Sequence, residues 1–134
     1  MIPKTIHYCW FNNTPIPHSL QVCMNSWKKV LPDYTWKLWT LKEFDVNSLP
    51  WTKEAYEAGA LAFVADYVRL YALFTEGGIY MDTDVLVKKS FDSMLVHGFF
   101  TAIEYHPEMI KADKMADRRL EVDGTNRFPG ERVP

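Results

Sequence analysis

Glu76-Gly77-Gly78-Ile79-Tyr80-Met81-Asp82-Thr83-Asp84-Val85 decides how this chain is read. Its glycine pair can take a left-handed cap conformation that ends a preceding helix, and Ile79 opens an apolar, strand-like run. In an extended backbone alternate side chains share a face, so Asp82 and Asp84 are expected to project together while Thr83 points away. Two unpartnered carboxylates about 4 Å apart repel by roughly 4 kcal/mol at an effective dielectric near 20, so a cation is expected between them. A hard divalent ion, Mn²⁺ or Mg²⁺, prefers carboxylate oxygen and keeps positions for water and substrate phosphates. The competing reading is a pair of strand-end acids facing water. The glycine cap and the flanking Ile79, Tyr80, Met81, Val85, Leu86 and Val87 set this pair apart.

The stretch from Ala60 to Glu76 reads as one helix ending at those glycines. It is apolar almost all round, with Leu61, Phe63, Val64, Val68, Leu70, Leu73 and Phe74, and such a helix is expected to be buried. Asp66 and Arg69, three residues apart, share a face of it. As a surface ion pair they would contribute about 0.2 to 0.5 kcal/mol. Buried, they would need partners, which a sugar hydroxyl or a phosphate supplies.

Thr5 to Phe11, β-branched and aromatic, reads as a first strand that breaks at Asn12-Asn13-Thr14-Pro15-Ile16-Pro17. Leu20, Cys23, Met24, Trp27, Val30 and Leu31 recur at helical spacing and stop at Pro32. Thr35 to Leu41 reads as strand two. Thr40 with Glu43 forms a capping-box pattern, and Thr52 is placed to cap a helix through Ala58. Val85 to Val87 is expected to continue strand three, Phe91 to Leu95 to form a helical turn, and Phe99 to Tyr105 to form another strand. Strands alternating with helices predict an α/β fold with a largely parallel sheet, whose ligands gather beyond the carboxyl ends of the strands. Trp10 falls on that rim, where its ring could stack on a nucleobase. His7 reads either as a satisfied core residue or as a substrate contact. His18, His97 and His106 have no ligand spacing.

With 134 residues, 48% apolar, the chain is long enough for one domain with a substantial core. A net charge of −2 with scattered basic residues excludes a nucleic-acid partner. Cys9 and Cys23 read as small buried hydrophobes, which fits a reducing compartment. Met1-Ile2-Pro3-Lys4 leads straight into a strand without a signal core, and the longest apolar stretch is interrupted by Asp66 and Arg69, so no membrane span is expected. A cytoplasmic location, peripheral to the inner face of the membrane, is the expectation.

Ile2-Pro3-Lys4-Thr5-Ile6-His7-Tyr8-Cys9-Trp10-Phe11, then Ala65-Asp66-Tyr67-Val68-Arg69-Leu70-Tyr71-Ala72-Leu73, then Gly77-Gly78-Ile79-Tyr80-Met81-Asp82-Thr83-Asp84 resemble, in this order, the DXD-containing sugar-binding region of glycosyltransferase family 32. The similarity covers residues 2–105. Bacterial members, often associated with capsular polysaccharide synthesis, and the more distant large clostridial glucosylating toxins share this order of elements. The resemblance implies a GT-A, Rossmann-like fold. It also implies transfer of a sugar, with retention of configuration, from a nucleotide-diphosphate donor to a glycan or lipid-linked saccharide acceptor. Carried over by motif, Trp10 stacks on the base, and Asp66 and Arg69 hold donor sugar and phosphate groups. Asp82 contacts hydroxyls and the ion's hydration shell, and Asp84 ligates the metal. Asp82 and Asp84 are thus the candidate catalytic and metal-binding pair, with His7 and Tyr80 as further substrate contacts. Asn12-Asn13 stands where members commonly have a glycine-containing turn, a mild departure because Asn tolerates the left-handed region.

Members of the family continue well past this length, so the fold is expected to be truncated at its C-terminus. Residues 1–105 would form the nucleotide-sugar domain, and 106–134 a polar tail or loop. Two other readings compete. One is a non-catalytic nucleotide-sugar-binding fragment or pseudoenzyme lacking the acceptor half. The other is a phosphohydrolase with Asp82 as nucleophile and Asp84 as acid/base, against which the pair comes late in the chain and strand-like residues follow it. Apolar surface left uncovered would favour self-association.

Overall fold

In the computed structural model, Thr5–Cys9 (β1) takes the centre of a three-stranded sheet between Thr35–Trp39 (β2) and Ile79–Tyr80 (β3). The structure describes residues 1–102. The chain divides into units Met1–Phe100 and Thr101–Pro134. All pairings are parallel, with Thr5 opposite Thr35, Cys9 opposite Trp39, and His7 opposite Tyr80. Helix α1 (His18–Val30) connects β1 to β2. Helices α2 (Pro50–Glu57) and α3 (Leu61–Glu76) lie between β2 and β3. This is the α/β alternation expected from the sequence.

Period-2 alternation along β1 sends its side chains into separate cores. Ile6 and Tyr8 pack with Trp27, Leu31, Ile79, Met81 and Val87, while Cys9 packs with Trp39, Phe44, Val64, Val68 and Ala72. The α1 stripe ends where expected, at Leu31 before Pro32, with Lys28 and Lys29 in the last turn complementing the helix dipole. Trp27 is fully buried, stacked on Trp36 with centroids 5.4 Å apart and edge-on to Tyr8 at 5.6 Å.

Several expectations are corrected. β1 ends at Cys9 rather than Phe11, and β2 at Trp39 rather than Leu41. The Glu43 carboxylate does accept the Thr40 backbone N–H at 2.9 Å, but the pair closes a turn and no helix starts there. Thr52 is not a cap, because α2 already begins at Pro50, whose fixed φ suits a first helical position. The Thr52 hydroxyl is fully buried and donates to the Val46 carbonyl at 2.6 Å.

Helix α3 is not buried all round. It buries Val64, Val68 and Ala72 against the sheet, while Phe63, Leu70 and Phe74 stay exposed, Phe74 at 91%. A single layer covers only a stripe of a helix, so apolar content alone overstated the burial.

The glycine pair ends α3 where expected, but Gly77 does not take the left-handed helical cap conformation. Gly77, at φ +68° and ψ −155°, occupies a region essentially open to glycine alone and returns its N–H to the Leu73 carbonyl at 3.0 Å. The strand that follows is only two residues long. The Met81 N–H adds one more bond to the His7 carbonyl at 3.0 Å, and then the chain turns, with the Val85 N–H reaching the Asp82 carbonyl at 3.2 Å. Asp82 therefore opens a turn at the strand's end and Asp84 lies inside it, so the two do not alternate within a strand. Val85 to Val87 is not a strand because α1 captures it. The Trp27 indole N–H donates to the Val85 carbonyl at 2.6 Å, and the Ser26 hydroxyl accepts the Val87 N–H at 2.9 Å. Asp92–Met94 forms the expected helical turn, as a 3₁₀ segment. Phe99 to Ala102 is not in a strand, and the rest of that expected strand, like the polar segment 106–134, lies outside the described residues. Among the described residues no helix is long and apolar enough to cross a membrane.

Candidate functional site

The parallel strands β1 and β3 both end at one cleft of about 450 Å³. β1 runs out into Trp10, Phe11 and Asn12 along its wall, β3 into Tyr80, Asp82, Thr83 and Asp84, and α3 presents Ala62, Ala65, Asp66 and Arg69. Side chains far apart in the chain meet here because parallel strands share a direction and their carboxyl ends open on one rim. Trp10, Asp66, Arg69, Tyr80, Asp82 and Asp84 are brought together.

Arg69 is the hub. Its Nη2 lies 3.3 Å from Asp82 Oδ1 and 3.4 Å from Asp66 Oδ1, and its guanidinium carbon sits 4.6 Å from the Tyr80 ring centroid. Burial pulls the Arg69 pKa down, but Asp82, Tyr80 and Asp66 outweigh it and the net shift is upward. Its Nε is buried without a hydrogen-bond partner, so the guanidinium is not saturated by the two acids. The reading of Asp66 and Arg69 as buried charges is corrected. Their side chains are 55% and 37% exposed, so solvent screens the pair and its direct contribution to stability is small.

Tyr80 lies beneath that guanidinium. Burial raises its phenol pKa, with neighbouring Cys9 adding to the shift, and burial likewise pushes the Cys9 thiol up to about 11. Both groups are therefore neutral near pH 7. Trp10 is half-buried, and its indole N–H donates to the Thr14 carbonyl at 2.7 Å, closing the loop over Asn12-Asn13. With that N–H taken, what the ring has left for a ligand is its apolar surface.

A divalent cation is tested by the donor set. Asp82 and Asp84 are exposed, and Asp84 has no ion-pair partner among the described residues. Among those residues no group of three His, Cys, Asp or Glu side chains gathers. Two carboxylates suit Mg²⁺ or Mn²⁺, which keep waters and take further oxygens from substrate phosphates; they do not suit a closed tetrahedral zinc site. The residues fit the hard cation.

His7 does not line the cleft. It is fully buried; the Trp39 indole N–H donates to its Nδ1 at 3.1 Å, so Nε2 carries the proton and donates to the Gly77 carbonyl at 2.9 Å. Both ring nitrogens are spent tying β1 to β2 and to the glycine corner that leads into β3. No local pattern could signal this, since the partners lie 32 and 70 residues away.

Burial also lowers the His7 pKa below its usual 6.5. The unfolded chain then takes up a proton that the folded chain refuses, so stability is full above about pH 6.5 and declines as pH falls from there toward the lowered folded value. Melting temperatures between pH 8 and pH 5 are expected to drop over that window, and to drop less in His7→Gln, which cannot titrate. An equal decline in both proteins would remove His7 as the cause.

Residues 17–101 match the family described as glycosyltransferase sugar-binding region containing DXD motif. The chain is 36% identical over 98 residues to inositol phosphoceramide mannosyltransferase 3 of Schizosaccharomyces pombe, covering 70% of this chain and 27% of that protein. It is 31% identical over 101 residues to inositol phosphoceramide mannosyltransferase 2 of the same organism, covering 72% of this chain and 29% of the relative. The chain thus spans less than a third of the length of these curated relatives. No solved structure matches it.

Proposed function

This chain belongs to the glycosyltransferase family whose sugar-binding region contains a DXD motif, and from that premise we propose that its cleft binds a nucleotide-diphosphate sugar through a divalent cation and serves transfer of the sugar. The α/β arrangement fits a GT-A-like fold. The observation that carries the proposal is the convergence on one cleft of an indole, an unsaturated arginine and two exposed carboxylates, contributed by the ends of β1 and β3 and by α3. Each has a counterpart in the donor. Trp10 stacks on the base, Arg69 supplies N–H donors to diphosphate or sugar oxygens, and Asp66 accepts from sugar hydroxyls. Asp82 and Asp84 hold Mn²⁺ or Mg²⁺, which when bound neutralises charge building on the departing diphosphate. Arg69, held over Tyr80 by Asp66 and Asp82, adds fixed positive charge to the same end of the cleft.

The reading extends to retention of configuration, on the strength of the motif resemblance, and to a hexose donor, with mannose first because both relatives are named mannosyltransferases. Their names make a lipid-linked acceptor the first to try, ahead of a polysaccharide. A cytoplasmic place at the inner face of the membrane is part of the same proposal, and cell fractionation reads it.

A thermal-stabilisation screen of UDP-, GDP- and CDP-sugars with and without Mn²⁺ tests the donor site. A ligand at a hundred times its Kd stabilises by about 2.7 kcal/mol. For a domain of this size that is roughly 10 °C or more. One nucleotide is expected to give such a shift only with Mn²⁺. Trp10→Ala is expected to weaken it by roughly 5- to 150-fold, the worth of about 1–3 kcal/mol of base stacking. No shift with any donor sinks the reading. Metal-dependent hydrolysis or transfer by the 134-residue chain separates a transferase from a module that binds the donor without turning it over.

A further inference from the structure

The turn that carries the acids is pinned from outside itself. On the entry side the Met81 N–H is bonded to the His7 carbonyl of β1 at 3.0 Å. On the exit side consecutive residues of α1 hold it: the Trp27 indole N–H reaches the Val85 carbonyl at 2.6 Å, and the Ser26 hydroxyl accepts the Val87 N–H at 2.9 Å. Neither α1 side chain is free to drift. Ser26 donates its own proton to the Cys23 carbonyl at 2.6 Å, so its lone pairs face Val87, and the Trp27 ring is clamped between Trp36 and Tyr8. The acids, by contrast, are exposed, and Asp84 has neither an ion pair among the described residues nor packing to hold it. Asp82 is also held by Arg69, but where Asp84 stands is set by the backbone of the turn, and that backbone is set by β1 before it and α1 after it.

We propose that Ser26 and Trp27 are positioning residues that hold the Asp82–Val85 turn and so set the spacing of the Asp82 and Asp84 carboxylates toward a single divalent cation. The cation rests on the donor-site reading above; the hold on the turn does not. Mg²⁺ tolerates little departure from octahedral geometry, and groups that orient metal ligands from behind are typically worth 10- to 100-fold in affinity. A core role alone would make these residues matter for stability and leave the turn indifferent to them.

The test uses Ser26→Ala, Trp27→Phe and Ser26→Thr in the 134-residue chain. Trp27→Phe keeps an aromatic ring and removes the N–H; Ser26→Ala removes only a hydroxyl, so it keeps the test alive if the tryptophan variant folds poorly. The first readout needs no ligand. Amide exchange at Val85, whose N–H bonds Asp82 and touches neither substituted group, is expected to speed up in Ser26→Ala and Trp27→Phe, while β1 amides exchange as in the parent. The second is Mn²⁺ binding followed by electron paramagnetic resonance, with MnCl₂ alone and with UDP or GDP. Affinity is expected to fall roughly 10- to 100-fold in both variants and to return in Ser26→Thr. Unchanged Val85 exchange overturns the proposal, and so does a loosened turn that binds Mn²⁺ as tightly as the parent. If the parent chain itself binds no Mn²⁺ with either nucleotide, the donor-site reading falls, and Val85 exchange alone decides whether α1 positions the turn.

Discussion

Asp84→Asn is expected to lower the affinity of this chain for Mn²⁺ with a nucleoside diphosphate by ~100-fold or more while leaving its melting temperature nearly unchanged. The two halves of that expectation come from the same observation. Asp84 is exposed and has no ion-pair partner among the described residues, so its loss orphans nothing in the fold. Surface substitutions of this kind stay within about 0.5 kcal/mol. The affinity loss follows from the proposed donor set, which among the described residues is a pair of carboxylates. Removing a group behind a metal ligand costs about 10- to 100-fold, and removing one of the two carboxylates proposed as ligands among the described residues should cost no less. Asp82→Asn makes the contrast, because it also removes the charge facing Arg69 and leaves Asp66 as that guanidinium's ion-pair partner among the described residues. Titration calorimetry of Mn²⁺ with UDP or GDP into each protein reads the effect. Equal heats and affinities for Asp84→Asn and the parent would end the assignment of a metal to this turn.

Gly78→Ala is expected to be the most destabilising Gly→Ala change in the described residues, by about 2–5 kcal/mol. Gly78 sits at φ +91°, and a Cβ there would lie 2.7 Å from the Thr5 carbonyl and 3.1 Å from His7 Nε2. The first obstacle is backbone of the central strand and cannot rotate away. The second is a ring whose nitrogens are both committed, so relief on that side means giving up the bond to Gly77 or the one from Trp39. Backbone strain costs on the order of 1–3 kcal/mol and forced overpacking a similar amount. Against a total stability of about 5–15 kcal/mol, that is a drop in melting temperature of roughly 10 °C or more. Gly59→Ala is the control. Gly59 also has a positive φ, +71°, but nothing lies within 4 Å of its added methyl, so only the conformational part of the cost remains. Denaturant melts of the two variants isolate the close approach. A Gly78→Ala protein no less stable than Gly59→Ala would show that the corner between α3 and β3 yields more easily than its contacts imply.

These sites divide along a physical line. The stripe of α1, the β-branched and aromatic runs of β1 and β2, the body of α3 and its glycine stop were legible because each is a periodicity or a backbone permission carried by neighbouring residues. The order of motifs around Trp10, Asp66, Arg69 and the acid pair was legible for the same reason, and it pointed to the family that the chain belongs to. Val85-Leu86-Val87 is where local reading failed. Its residues favour a strand, yet Ser26 and Trp27, about sixty positions earlier, pull it onto α1. The face of α3 bearing Phe63, Leu70 and Phe74 failed similarly, since apolar composition cannot say which side a sheet will cover. His7 read either as a core residue or as a substrate contact, and only its bonds to Gly77 and Trp39 decide for the core.

From its own order of residues the chain determined which segments coil, which extend and where the backbone must be glycine, because those are short-range matters of sterics and spacing. Tertiary structure alone decided that the acids sit in a turn, that His7 is spent on the fold, and that Arg69 joins Asp66 to Asp82. Those outcomes depend on contacts between distant positions, which exist only once the parallel strands have brought their ends to a common rim.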